Sequence, residues 1–133
     1  VGIAARVEFD VSGAQVADHN GAGIRYEGGD LTLRDCRLHH NEMGLLAGTH
    51  SNGRVLIDGC EIDHNLTDTA AHGKLGHNLY IGRIASFVLR GSYVHDGSQG
   101  HLVKSRAWSN RIVDNRLIDR DGSSSYLIDL PNG

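Results

Sequence analysis

One proline, one tryptophan, two phenylalanines and two cysteines are all that 133 residues contain of these types. So few bulky rings, beside 18 glycines, exclude a conventional globular centre. They leave a core of small aliphatic residues stacked in order, within the size of one ordinary domain. Charge of neither sign predominates: 13 basic and 16 acidic residues give a net charge of -3, dispersed along the chain. With no basic stripe to follow a phosphate backbone, nucleic acid is not expected as a partner. No apolar run approaches the roughly 18 to 20 residues of a membrane-spanning helix, and residues 1–6 lack the charged and apolar regions of a signal peptide. A soluble chain is expected, either mature, excised or incomplete.

What is present is a repeat. Four segments align without gaps: LTLRDCRLHHN at 31–41, VLIDGCEIDHN at 55–65, FVLRGSYVHDG at 87–97 and NRIVDNRLIDR at 110–120. A looser copy, FDVSGAQVADHN, occupies 9–20. With Ala14, Cys36, Cys60, Ser92 and Asn115 as equivalents, the intervals are 22, 24, 32 and 23 residues. A second short segment recurs between the copies: GIRY at 23–26, GLLA at 44–47, NLYI at 78–81, HLVK at 101–104 and YLID at 126–129.

The period decides the architecture. Helical repeats would show apolar spacings of three and four, and a leucine-rich repeat would carry four or five leucines per unit; neither pattern occurs. Apolar residues instead alternate with polar ones in short runs bounded by Gly, Asp and Asn, as at Leu31/Leu33, Val55/Ile57 and Phe87/Leu89. The expected fold is all-β, a right-handed parallel β-helix of about five rungs with two strands per period, forming one domain over 1–133. Equivalent positions then stack about 4.8 Å apart. A column Ile24-Leu45-Leu79-Leu102-Leu127 becomes interior, and each rung is stable only against its neighbour. Neither end reads as a cap, so flanking sequence, part of a longer helix, or end-to-end self-association is expected to cover the edges.

The repeats end in His19-Asn20, His40-Asn41 and His64-Asn65, and on these motifs the chain resembles the pectate-lyase-like superfamily of β-helix proteins. Its later part, HNLYIG at 77–82, GHLVKSR at 100–106 and SYLIDLPNG at 125–133, is similar to bacterial β-helix proteins of uncharacterised function. The resemblance implies a polysaccharide partner, a groove along one strand face, a periplasmic or extracellular location and calcium as a family cofactor.

Strand alternation then sorts the face. Flanking the inward column are Gly23, Gly44, Asn78, His101 and Tyr126 on one side, and Arg25, Leu46, Tyr80, Val103 and Ile128 on the other. Arg83 and Arg106 follow at equivalent places, and Lys104 stacks on Asp129. A uronate lyase or epimerase needs a base for the proton beside the carboxylate, cations to neutralise that carboxylate and an acid for the leaving oxygen. His101, Lys104, Tyr80 and Arg106 are the catalytic candidates; His77, Asn78, Arg83, Tyr126 and Asp129 are the substrate-binding ones. A hydrolase would need two facing carboxyl groups, and this face has only Asp129. The other reading is a non-catalytic spacer, adhesin segment or assembly subunit, with Lys104 and Asp129 as a structural ion pair.

No residue is assigned as a metal ligand. The corner asparagines are expected to bond one another and to take the left-handed conformation, with His19, His40 and His64 as exposed neighbours; the alternative is a stack of those imidazoles binding zinc or copper. Calcium needs clustered carboxylates, and only Asp63 and Asp68 come close. The stretch at 66–76 lengthens one corner by about eight residues beyond the repeat period and brings His72 and Lys74 towards the face. Cys36 and Cys60 share an inward column on adjacent rungs, where a disulfide is compatible with the spacing and stacked free thiols are the favoured reading, so cysteine usage does not fix the compartment.

Overall fold

The computed structural model describes residues 8–10, 16–19, 21–67, 73 and 76–132, the first three by backbone alone. Expectations placed on Ala14, Asn20, Asp68, His72 and Lys74 fall outside the described residues, as does most of the 66–76 stretch. Strands are numbered in chain order and form three parallel sheets. Sheet I holds β2 (Ala22–Tyr26), β5 (Met43–Ala47), β8 (Leu79–Ile81), β11 (His101–Ser105) and β14 (Tyr126–Asp129). Sheet II holds β3 (Asp30–Arg34), β6 (His50–Asp58), β9 (Ile84–Arg90) and β12 (Ser109–Val113). Sheet III holds β1 (Glu8–Asp10), β4 (Arg37–His39), β7 (Glu61–Asp63), β10 (Tyr93–His95) and β13 (Arg116–Ile118). The chain visits I, II and III in turn and returns to I one rung later, which is a right-handed parallel β-helix.

Each rung thus has three strands, not the two read from the repeat. The aligned segments conceal a corner, because one residue in each lies in the left-handed region: Asp35 (φ 53°), Gly59 (64°), Gly91 (56°) and Asp114 (54°). Glycine reaches that region without strain and aspartate at small cost, so the corner interrupts the segment without interrupting the sequence pattern. At the next corner the expectation is corrected. The left-handed residues are His40 (φ 55°), His64 (50°) and Asp96 (47°), each one place before the position expected. The turn taken by the histidine aims the following asparagine inward.

Register explains the core. Leu33, Ile57 and Leu89 stack in sheet II, and Leu38, Ile62 and Val94 in sheet III, all at 0% exposure. Burying each such side chain stabilises the fold by roughly 1.5 to 3 kcal/mol. The inner column at the corner between them runs Cys36, Cys60, Ser92, Asn115. The Cys60 amide donates to Ser92 Oγ at 3.1 Å and the Ser92 amide to Asn115 Oδ1 at 2.9 Å. Both cysteines are buried and free.

Sheet I departs from the expected register by one residue. Leu79 pairs with Val103, and Val103 with Ile128, so the inward column is Ile24-Leu45-Leu79-Val103-Ile128 and not one through Leu102 and Leu127. Two consecutive residues are buried where the chain enters this sheet: Asn78 with Leu79, and Leu102 with Val103, are all at 0% exposure. Consecutive inward residues defeat a column drawn by alternation. Gly44 occupies the position before Leu45 because a Cβ there would lie 2.5 Å from the Asn78 carbonyl oxygen.

Candidate functional site

The corrected register gathers the outward residues of sheet I more tightly than the sequence suggested. Leu46, Tyr80, Lys104 and Asp129 form one ladder. Beside it runs a second ladder of rings: His77 lies 5.0 Å from His101 between centroids, His101 lies 5.1 Å from Tyr126, and His77 stacks on Tyr80 at 5.6 Å. A groove of about 930 Å³ lies over the first of these ladders, lined by Arg25, Met43, Leu46, His50, His77, Tyr80, Lys104 and Arg106 among others.

The expected residues divide at this groove. Tyr80, His77, Lys104 and Arg106 line it. Lys104 Nζ is 3.1 Å from Asp129 Oδ2, and that hydrogen bond holds the Asp129 carboxyl below the usual range. Arg106 donates to the neutral Asn132 Oδ1 at 2.8 Å, so this contact leaves its charge uncompensated. His101 does not line the groove. It is 6% exposed, its Nε2 is 3.2 Å from the same Asp129 oxygen, and its Nδ1 is buried with no partner among the described residues. Burial pushes its basicity down, partly offset by Asp129. His77 is neutral: burial, and then the charges of His101 and Lys104, lower it to about 4. Its Nδ1 accepts the His101 backbone N–H at 2.9 Å, which leaves the proton on Nε2.

Three expected positions move. Asn78 is not on the outward face; it is fully buried, and its amide donates to the His95 carbonyl at 2.9 Å. Arg106 is one place out of register with Arg83, because Ser105 pairs with Ile81; Arg83 is exposed and does not line the groove. Tyr126 pairs with His101 as expected, and at 63% exposure it flanks the ring ladder.

A second polar cluster, on sheet III, escaped the sequence reading. Register stacks His39, Asp63 and His95 on successive rungs, with Arg37, Glu61 and Tyr93 beside them. Asp63 is at 0% exposure and accepts two hydrogen bonds from Arg37, both 3.0 Å, and one contact from His64 Nδ1 at 2.5 Å. Burial opposes its charge, but the Arg37 and His64 bonds prevail and its carboxyl sits low. His95 bridges Asp96 through Nδ1 at 2.7 Å and Glu61 through Nε2 at 2.9 Å. Burial opposes its charge as well, and these two bonds raise its pKa nonetheless. The signal was available in the aligned segments as polar residues at the ninth position of each, at 39, 63 and 95.

Calcium does not fit at Asp63. Arg37 takes one lone pair of each oxygen, Glu61 is the other carboxylate of the cluster and the remaining neighbours are imidazoles, whereas calcium takes six to eight oxygens; Asp68 is outside the described residues.

Residues 5–130 match the family model described as a right handed beta helix region. No curated protein and no solved structure matches the chain.

Proposed function

Since the chain belongs to the right-handed β-helix family, we propose that it is a pectate-lyase-like member whose sheet I groove binds an acidic glycan. The observation that carries this is Arg106, a guanidinium held by a neutral amide and set beside Lys104 and Tyr80 in one groove. A uronate presents a carboxylate and a flat, weakly apolar sugar face. Guanidinium groups take carboxylates in paired hydrogen bonds, and the rings of Tyr80 and His77 with Leu46 give the sugar face something to lie on. Successive rungs repeat such positions about 4.8 Å apart, which suits a linear polymer laid along the solenoid.

Binding is favoured over elimination by where the bases are. His101 has its free nitrogen buried, His77 Nδ1 is occupied, and Lys104 Nζ is engaged by Asp129 Oδ2 at 3.1 Å. His50, Asp18 and Glu27 also line the groove, so the preference for binding rests on the two histidines of the ring ladder. The ligand class puts the proposed site of action in the periplasm or outside the cell.

The test is calorimetric titration with oligouronates and with neutral oligosaccharides of equal length. Binding should be confined to the acidic series, weaken with salt, and fall at least about tenfold in Arg106→Ala, equivalent to about 1.4 kcal/mol. Equal binding of neutral sugars, or no change in Arg106→Ala, would overturn it. An Arg106-dependent rise in the ultraviolet absorbance of an unsaturated uronate would restore the lyase reading.

A second reading, a non-catalytic assembly solenoid, has one observation in its favour. Edge strand β14 exposes Tyr126, Leu127 and Ile128 at 63, 43 and 42%. Light scattering that shows association lost in Ile128→Lys would favour that reading.

A further inference from the structure

We propose that Glu61, Asp63, His64 and His95 on sheet III form a binding site for a divalent transition cation of zinc-like preference. One ligand atom each from Asp63, His64 and His95 lie within 4.8 Å of one another. A tetrahedral zinc ion bound at about 2.0 to 2.2 Å sets its ligand atoms about 3.3 to 3.6 Å apart, so the widest pair must close by up to about 1.5 Å while His64 Nδ1 and Asp63 Oδ2, 2.5 Å apart, must separate.

The histidine is already arranged as a metal ligand is. His95 Nδ1 is 2.7 Å from Asp96 Oδ2, and the other Asp96 oxygen accepts the amides of Arg120 and Asp121 at 2.9 and 3.0 Å. A carboxylate that is itself anchored fixes the ring and leaves Nε2 pointing at the site, the arrangement that supports histidine ligands in metal centres. Nε2 faces Glu61 Oε1 at 2.9 Å and Asp63 Oδ1 at 3.9 Å.

His64 supplies the second nitrogen from the corner. Its left-handed backbone (φ 50°) turns the ring back over Asp63, and the ring stacks flat on His40 at 5.3 Å with 2° between planes. Asp63 keeps its bonds to Arg37 while serving the site, because each carboxylate oxygen has two lone pairs and Arg37 occupies one on each. Around His95 stand three carboxylates, Glu61, Asp63 and Asp96, and Arg37 is the guanidinium that contacts Glu61 and Asp63. Two imidazoles with carboxylates select zinc, or a neighbour in its series, over calcium. Because Glu61, Asp63 and His64 belong to one rung and His95 to the next, the ion would tie two rungs together.

The experiment uses the full chain stripped with a chelator and titrated with zinc by calorimetry, with cobalt as an optical probe of coordination number. One equivalent is expected, with tetrahedral cobalt bands and a higher melting temperature in the presence of zinc. His64→Asn tolerates the left-handed backbone; loss of the imidazole contact to buried Asp63 should lower the metal-free melting temperature, and the variant should bind zinc at least about tenfold more weakly and gain less melting temperature from added zinc than the wild type. His95→Gln should do the same wherever circular dichroism confirms the fold. Absence of binding in the wild-type chain, or equal binding in wild type and His64→Asn, would overturn the proposal. Neither readout depends on a glycan.

Discussion

Asn65 reaches Asn78 across the longest excursion of the chain: its backbone N–H and its side-chain Nδ2 both donate to Asn78 Oδ1, at 3.2 and 2.9 Å. One rung below, the Asn41 amide and side chain donate to Asn65 Oδ1 in the same way, at 3.1 and 3.3 Å. The ladder thus runs unbroken from Asn41 through Asn65 to Asn78, two residues before Tyr80 in the groove. Replacing Asn65 by Ala strands the Asn41 amide and removes the side-chain bonds to Asn78 Oδ1 and to the Leu38 carbonyl, leaving Asn78 Oδ1 with the residue 65 backbone N–H alone. Chemical denaturation should show a loss of about 2 to 4 kcal/mol, each orphaned group costing about 1 to 3 kcal/mol; a loss below about 1 kcal/mol would mean that the ladder is ornamental.

Arg37 and Asp63 form a two-pronged ion pair on sheet III in which the carboxylate is at 0% exposure. Arg37→Ala leaves a buried carboxylate with its fork of donors gone, and should cost about 3 kcal/mol in denaturant unfolding. Arg37→Lys should recover only part of this, since a single ammonium cannot span both oxygens. Full recovery by lysine would show that charge alone matters there.

Acid should weaken the groove face. His77 titrates at about 4 in the folded chain and near 6.5 when unfolded. Between those values the unfolded chain takes up a proton that the folded chain refuses, so this stability is present above the unfolded pKa and is lost as pH falls toward 4. The shift corresponds to about 3 kcal/mol. His101, also lowered, adds with the same sign; His95, which is raised, runs the other way. The difference between wild type and His77→Gln isolates the residue: the variant should lose less stability from pH 7 to pH 4.5, and parallel curves would contradict the assignment.

Cys36 and Cys60 are each 3% exposed, and burial pushes the Cys60 thiol up to about 11. Thiolate is the reactive form, so alkylation in the folded chain should be slower than in denaturant by orders of magnitude. Prompt labelling at neutral pH would show that the column opens.

The fold was legible because small aliphatic residues recur at a fixed period. Leu31/Leu33, Val55/Ile57 and Phe87/Leu89 stack as their alternation requires, and the column Cys36-Cys60-Ser92-Asn115 follows from the same alignment. Two features were illegible for one reason: local pattern does not carry backbone direction. A corner at Asp35 or Gly59 fits inside an apparently continuous segment, and Leu102-Val103 offers two apolar residues for one inward place. The groove residues survived that slip because Tyr80, Lys104 and Asp129 moved into one ladder together. Asn78 did not survive it. The sheet III cluster needed register to become visible, since His95 meets Glu61 across 34 residues of sequence.

The most direct test of the groove is a nitrogen-15 NMR titration of the full chain with a short oligogalacturonate. Amide shifts concentrated at Leu46, Tyr80, Lys104 and Arg106, and abolished in Arg106→Ala, are the predicted result. A spectrum unchanged at high ligand concentration, or shifts confined to His64 and His95 on sheet III, would contradict the assignment of sheet I as the glycan-binding face.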